Sequence, residues 1–195
     1  MIDFLVTGGF GFQGSHLVKA LLDDGASVRV LNRMSEHAFA NMQRLFKHRN
    51  AANIQSMWGD ITNAETVQSA VRDCMRVIHT AAHIHVDESI EFPERALASN
   101  VMGTFQVLEA IRKMEDRPSL IYASTCEVYG PALYSPMDET HPMNPMSPYA
   151  AAKAAADRLV FAYANTYKFP AIILRPGNVY GPYQKGGVRG AMIPR

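Results

Sequence analysis

The 195 residues are enough for one domain with a sizeable core. Nineteen Lys and Arg oppose 18 Asp and Glu, a formal net charge of +1, which leaves no electrostatic footprint for nucleic acid or an anionic membrane. Two cysteines, Cys74 and Cys126, make no disulfide framework, and the start MIDFLVTGGFG has neither the basic region nor the apolar length of a leader or membrane span, so a cytoplasmic location is the default expectation.

In chain order, IDFLVT reads as a strand that turns on glycines into a helix. Leu17, Val18, Leu21 and Leu22 share one face of that helix, and Gly25 follows its end. SVRVLN is a second strand and NIQSMWGD a third, less regular one. ETVQSAVRDC reads as a helix that would carry Cys74, and RVIHTAA as a strand. PERALASNVMGTFQVLEAIRKM is expected to be one long helix. PSLIYAS is a fifth strand, SPYAAAKAAADRLVFAYANTY an alanine-rich helix and PAIILRP a sixth strand. GPALYSPMDETHPMNPMSP between them is a long surface loop. Strands alternating with helices predict a doubly wound α/β parallel sheet of the Rossmann type, one domain over 1–195. No repeat or interdomain linker interrupts it.

Gly8, Gly11 and Gly14 form G-x-x-G-x-x-G between the first strand and the first helix. Such a turn lets a pyrophosphate approach the backbone, and the helix start offers it free N–H groups. A tight structural turn would use the same glycines, but the flanking strand and helix favour a dinucleotide. An acidic residue usually ends the second strand and holds the adenosine ribose. Here Asn32 and Arg33 stand instead. Asn32 can still bond a hydroxyl; Arg33 is either a partner for the 2′-phosphate of NADP or a solvated charge, so NAD and NADP both stay open. Asp60, after the third strand, either accepts the adenine amine or caps the helix that starts near Asn63.

Tyr149 and Lys153 lie four apart on a helix and share a face. A nearby ammonium would lower the tyrosine pKa and make it a base toward a sugar hydroxyl. Thr125, at the end of the fifth strand, could bond the same hydroxyl. His79, His83 and His85 lie close in sequence but lack the spacing of a metal site, so no metal is expected.

TGGFGFQGSH, YASTCEVYG, SPYAAAK and RPGNVYGP occur in this order. Together they resemble the extended short-chain dehydrogenase/reductases, in the NAD-dependent epimerase/dehydratase family of nucleotide-sugar enzymes. HVDESIEFPERALASNVMGTFQVLEA is similar to the 4,6-dehydratase branch. The resemblance implies NAD as cofactor, with NADP open, and a nucleotide-diphosphate sugar as substrate. It adds Phe12, Ile61, Ala81, Ala82 and Asn100 to the cofactor lining, beside Tyr149 and Lys153. His85, Thr125 and Asn178 fall on the substrate side, with Arg175 at the nicotinamide edge.

The implied chemistry is oxidation at C4 by Tyr149 with Lys153 and Thr125. In the dehydratases, water is then lost across C5 and C6 and hydride returns. That branch typically carries S-T-D-E-V-Y-G, with the Asp as acid and the Glu as C5 base. This sequence keeps Glu127 and has Cys126 at the Asp position. A thiol is mostly protonated at neutral pH, so Cys126 can donate a proton; it could equally only pack. A 4-epimerase and a non-catalytic NAD(P)-binding protein are the alternative functions. The resemblance also implies a homodimer through helices 94–115 and 148–168, although burial within one chain would explain their apolar faces. It further implies a C-terminal substrate lobe, which the 195 residues do not include, so the chain alone is expected to bind cofactor but hold substrate poorly.

Overall fold

The computed structural model describes residues 1–184. Six parallel strands form one sheet: β1 (Ile2–Thr7), β2 (Val28–Asn32), β3 (Ile54–Trp58), β4 (Cys74–His79), β5 (Ser119–Ala123) and β6 (Ala171–Leu174), in the order β3-β2-β1-β4-β5-β6. Between them run α1 (Phe12–Asp23), α2 (Glu36–Leu45), α3 (Ala64–Val71), α4 (Val86–Glu91), α5 (Pro93–Ala96), α6 (Gly103–Arg112) and α7 (Pro148–Tyr167). The strand order reverses between β1 and β4, and a sheet of this kind binds ligands at the carboxyl ends of its strands, at that reversal.

Alternating strand residues divide between two cores. Leu5, Leu31, Val77, Leu120 and Tyr122 pack under α3, α6 and α7. Val6, Val28, Val30 and Ile78 pack under α1 and α2. Register explains the split: Leu5 pairs with Arg29 and Val77, while Val6 pairs with Val30 and Ile78. The doubly wound fold expected from the strand–helix alternation is therefore present.

Several local expectations are corrected. Cys74 is not helical. Asp73, at φ +60°, ends the preceding turn, and Cys74 opens β4 opposite Ile2. Val18 and Leu22 are fully buried on α1, but Leu17 is exposed. The single helix expected from residue 93 onward is α5, then a π-helical segment at Leu97–Met102, then α6. The segment EHAFANMQRL forms α2, capped by Ser35, whose Oγ accepts from the Ala38 N–H. No element was expected over these residues. The end of the glycine-rich loop after β6 lies outside the described residues.

Candidate active site

The glycine turn is built as a cradle. Gly8 has φ +72°, in the left-handed region that favours glycine, and a Cβ there would stand 2.9 Å from Ala81 Cα. A Cβ on Gly14 would stand 2.2 Å from the Gly8 carbonyl oxygen. The turn and α1 therefore touch backbone to backbone. Gly11 caps α1 with no side-chain hydrogen bond, and the first turn carries no acidic residue. The α1 start is thus uncapped and positive in potential, as phosphate binding requires. Phe12 opens this turn. The residues present fit a dinucleotide: the glycine turn folds tightly onto the start of α1 and leaves that start free of side-chain caps and acidic groups.

At the end of β2, Asn32 serves the turn. Its Oδ1 accepts from the Phe10 N–H at 3.1 Å and its Nδ2 donates to the Arg33 carbonyl at 2.7 Å. Arg33 pairs with Asp60 at 3.6 Å, both partly exposed. Asp60 Oδ1 accepts from the Thr62 N–H and hydroxyl, each at 2.8 Å. The cap of α3 is Asn63, which accepts from the Thr66 N–H, so the capping role considered for Asp60 is overturned. Ile61 follows Asp60. Its side chain is buried against α6, where a Cβ on Gly103 would stand 2.5 Å from it, so only its backbone can face a ligand.

Beside these residues lies a cleft of about 590 Å³. Arg33, Asp60, Ala82, His83, His85 and Ser99 line it. His85, expected on the substrate side, therefore shares a cleft with the residues expected around the adenosine. Asn100, 1% exposed, clamps the loop above: it accepts from the His83 N–H at 2.7 Å and donates to the His83 carbonyl at 3.0 Å. Ala81 donates its N–H to the Thr7 hydroxyl at 3.3 Å.

His79 is sealed beneath this loop. Its Nδ1 meets the Thr7 hydroxyl at 2.6 Å and its Nε2 the Thr104 hydroxyl at 3.1 Å. Thr104 donates to the Asn100 carbonyl, so it accepts from His79, and Nδ1 accepts from Thr7. Burial, then the Lys153 charge, push the His79 pKa down to about 3, which keeps the ring neutral. This histidine braces β1, β4 and α6. Among the described residues no group of three or more His, Cys, Asp or Glu could hold a metal ion.

The hydroxyl, thiol, carboxylate and phenol meet at the end of β5. Thr125 caps a short 3-10 turn, Cys126–Tyr129, and accepts from the Glu127 N–H at 3.3 Å. The Cys126 N–H donates to the Pro176 carbonyl at 3.0 Å, which ties the turn to the end of β6. Thr125 is buried, Cys126 half-buried and Glu127 exposed. α7 starts at Pro148, with Ser147 accepting from the Ala150 N–H and Ser89 from the Tyr149 N–H at 3.1 Å. Tyr149 lies within reach of the Thr125 hydroxyl and beside Glu127 and Cys126.

One electrostatic expectation is corrected. Burial raises the Tyr149 pKa, with Thr125 opposing and Glu127 and Cys126 adding to the rise; Lys153 is not among the groups acting on it. The reason is where Lys153 points. It is 3% exposed, donates to the Ala123 carbonyl and lies 4.5 Å from the Tyr122 ring centroid. Burial pulls its own pKa down to about 7, against the pull of Asp157.

A network the sequence reading missed fixes α7. Asp157, fully buried, takes Arg175 Nε at 2.9 Å and Nη2 at 3.0 Å and also pairs with Arg158. Arg175 Nη1 donates to the Tyr129 hydroxyl at 2.6 Å. Burial would raise the Asp157 pKa, but Arg175 and Arg158 hold it below the usual carboxylate range. Arg175 is thus committed to bracing, while Asn178 is exposed in the loop beyond. The signal was available: Asp157 continues the Tyr149–Lys153 stripe by another four residues.

The chain is similar to known proteins along most of its length. A family model described as GDP-mannose 4,6 dehydratase matches residues 5–195. The dTDP-glucose 4,6-dehydratase of Mycolicibacterium smegmatis is 42% identical over 192 residues, covering 92% of this chain and 54% of that protein. The human dTDP-D-glucose 4,6-dehydratase is 37% identical over 182 residues, covering 92% and 52%. Among solved structures, a dTDP-glucose 4,6-dehydratase from Streptomyces venezuelae with NAD bound superposes with TM-score 0.86 at 34% identity, covering 94% of this chain and 58% of that one. The UDP-glucose 4-epimerase of Thermus thermophilus, also with NAD, gives 0.83 at 35% identity, covering 94% and 58%. The chain spans about half the length of the curated relatives it matches. With its glycine cradle, its Thr125–Tyr149–Lys153 cluster and a family match across nearly every residue, the chain belongs to the GDP-mannose 4,6 dehydratase family, among the extended short-chain dehydrogenase/reductases.

Proposed function

We propose that the chain is the NAD-binding, catalytic part of a nucleotide-sugar 4,6-dehydratase acting on a dTDP-glucose-like substrate. The observation that carries this reading is the turn at Thr125–Glu127, which gathers a hydroxyl, a thiol and a carboxylate beside Tyr149. NAD, when bound, supplies a hydride acceptor and a positive charge. Tyr149 takes the proton of the C4 hydroxyl, with Thr125 holding that hydroxyl in line. The positive charge opposes the rise that burial gives the Tyr149 pKa. Loss of hydride makes C4 a ketone and acidifies the C5–H. Glu127 then removes the C5 proton, and the Cys126 thiol protonates the departing C6 hydroxyl. One water is lost; with hydride restored at C6, Glu127 would hand its proton back to C5, and the proton held by Tyr149 would replenish the Cys126 thiol. Lys153, anchored on the Ala123 carbonyl, fixes the α7 face that carries Tyr149.

A mass spectrum after incubation with NAD and dTDP-, UDP-, GDP- and CDP-hexoses tests the reading, with a longer natural form run beside the chain. Loss of one water from one sugar is the expected result. An unchanged mass with a new retention time would replace it by 4-epimerisation, which needs Thr125, Tyr149 and Lys153 but neither Cys126 nor Glu127. That second reading is favoured by the exposure of Glu127. No NAD binding by calorimetry would overturn both.

A further inference from the structure

Three described histidines are buried, and two of them are fully partnered. His79 bonds through both nitrogens to Thr7 and Thr104. His141 accepts from the Leu133 N–H at 3.0 Å and meets the Pro142 carbonyl at 2.9 Å. The third, His83, is 9% exposed, and its Nε2 is buried without a hydrogen-bond partner. Leaving a buried polar atom unsatisfied is costly, so such an atom calls for an explanation.

The ring has not merely drifted there. Asn100 bonds both the N–H and the carbonyl of His83, which fixes the residue's backbone over the cleft. That cleft runs past Arg33 and Asp60, just beyond the ends of β2 and β3. In a doubly wound sheet this half of the site takes the adenosine of a dinucleotide. The acceptors at these strand ends already have protein partners. Asn32 serves the glycine turn, and Asp60 serves Thr62 and Arg33. The other buried unpaired side-chain atoms among the described residues, on Ser56, Tyr122, Ser124 and Gln184, belong to residues that do not line the cleft.

Charge narrows the ligand group. Arg33 pairs with Asp60 and Arg95 with Glu88 along the same cleft. Burial lowers the His83 pKa, with Arg33 and the His85 ring adding to the fall and Glu88 opposing it. A neutral imidazole flanked by paired charges suits a neutral hydroxyl or amine better than a phosphate.

We infer that His83 is a cofactor-contacting residue, whose Nε2 makes a hydrogen bond with a neutral group of the NAD adenosine, either the ribose 2′-hydroxyl or the adenine amine. The inference rests on the cofactor reading above. It also replaces the acid missing at the end of β2 with a group from the β4–α4 loop.

Calorimetric titration of NAD into the chain and into His83→Leu and His83→Gln tests it. Leucine removes the polar atom and glutamine returns one at a similar reach. The expected result is NAD affinity lowered about tenfold in His83→Leu and within about threefold of the parent in His83→Gln. The ligand-free melting temperature of His83→Leu is expected not to fall. Two analogues identify the group: nicotinamide hypoxanthine dinucleotide lacks the amine, and NADP lacks the free 2′-hydroxyl. One of them is expected to bind the parent and His83→Leu equally well. Equal NAD affinity in parent and His83→Leu would overturn the inference. So would a loss of affinity in His83→Leu that persists with both analogues, or a glutamine variant as weak as leucine with a lowered melting temperature, which would mark a packing role. Failure of the parent itself to bind NAD would overturn the cofactor reading and this inference together.

Discussion

Lys153 and Asp157 stand one helical turn apart on α7, both buried, and their pKa values are both displaced downward for opposite consequences. The folded value for Lys153, about 7, lies below the ordinary lysine value. Between pH 7 and the ordinary value the unfolded chain therefore binds more protons, and stability rises with pH. Below pH 7 both states are protonated and the cost of burying the ammonium is felt in full. Denaturant unfolding at pH 7 and pH 9 should show the parent gaining about 1–2 kcal/mol relative to Lys153→Met; a pH-independent difference would refute the assignment. Asp157 is the reverse case. Its lowered value contributes stability above the ordinary carboxylate range, and that contribution is lost as pH falls through it. Asp157→Asn should cost about 3 kcal/mol at neutral pH, because Arg175 is left without its carboxylate, and the gap to the parent should narrow in acid. For catalysis, Tyr149→Phe is expected to lower turnover by about 10²–10⁴-fold. NAD affinity in the same calorimeter should change little.

At the scale of elements, legibility followed range in sequence. The glycine turn, the four-residue spacing of Tyr149 and Lys153 and the apolar strands are local patterns, and each was readable. The turn is also rigid in its demands: Gly14→Ala places a Cβ against the Gly8 carbonyl, and loss of NAD binding with a melting temperature lower by several degrees is expected. What stayed hidden depends on partners far along the chain. The π-helical segment turns Asn100 onto His83, 17 residues away, and no periodicity announces that. Asn100→Ala would orphan two buried backbone groups; about 2 kcal/mol of stability is expected to go, read from the shift in denaturant midpoint. Likewise the Asp157–Arg175–Tyr129 network joins α7, β6 and the Cys126 turn only after folding, and Lys153 points at a strand carbonyl rather than at Tyr149.

Across the whole molecule, the two apolar cores take up most apolar strand residues except on β6. There Ile172 and Leu174 are more than half exposed on an edge strand, while Ile173 packs inward. An exposed apolar edge is prone to pairing with another chain. Ile172→Lys should therefore reduce self-association of the 195-residue chain in sedimentation without changing its circular dichroism; unchanged association would place the contact elsewhere.

The parallel sheet has a second consequence. Every group discussed as chemistry gathers at one rim, where the six parallel strands end. The opposite rim holds Met1, 93% exposed, the left-handed Gly25 with open space around it, and the Asp73 turn. A fluorophore, an affinity handle or a surface tether placed at any of these three points stands a full strand length from the cleft. Immobilised that way, the molecule would present its binding face outward, as a biosensor for dinucleotides would require.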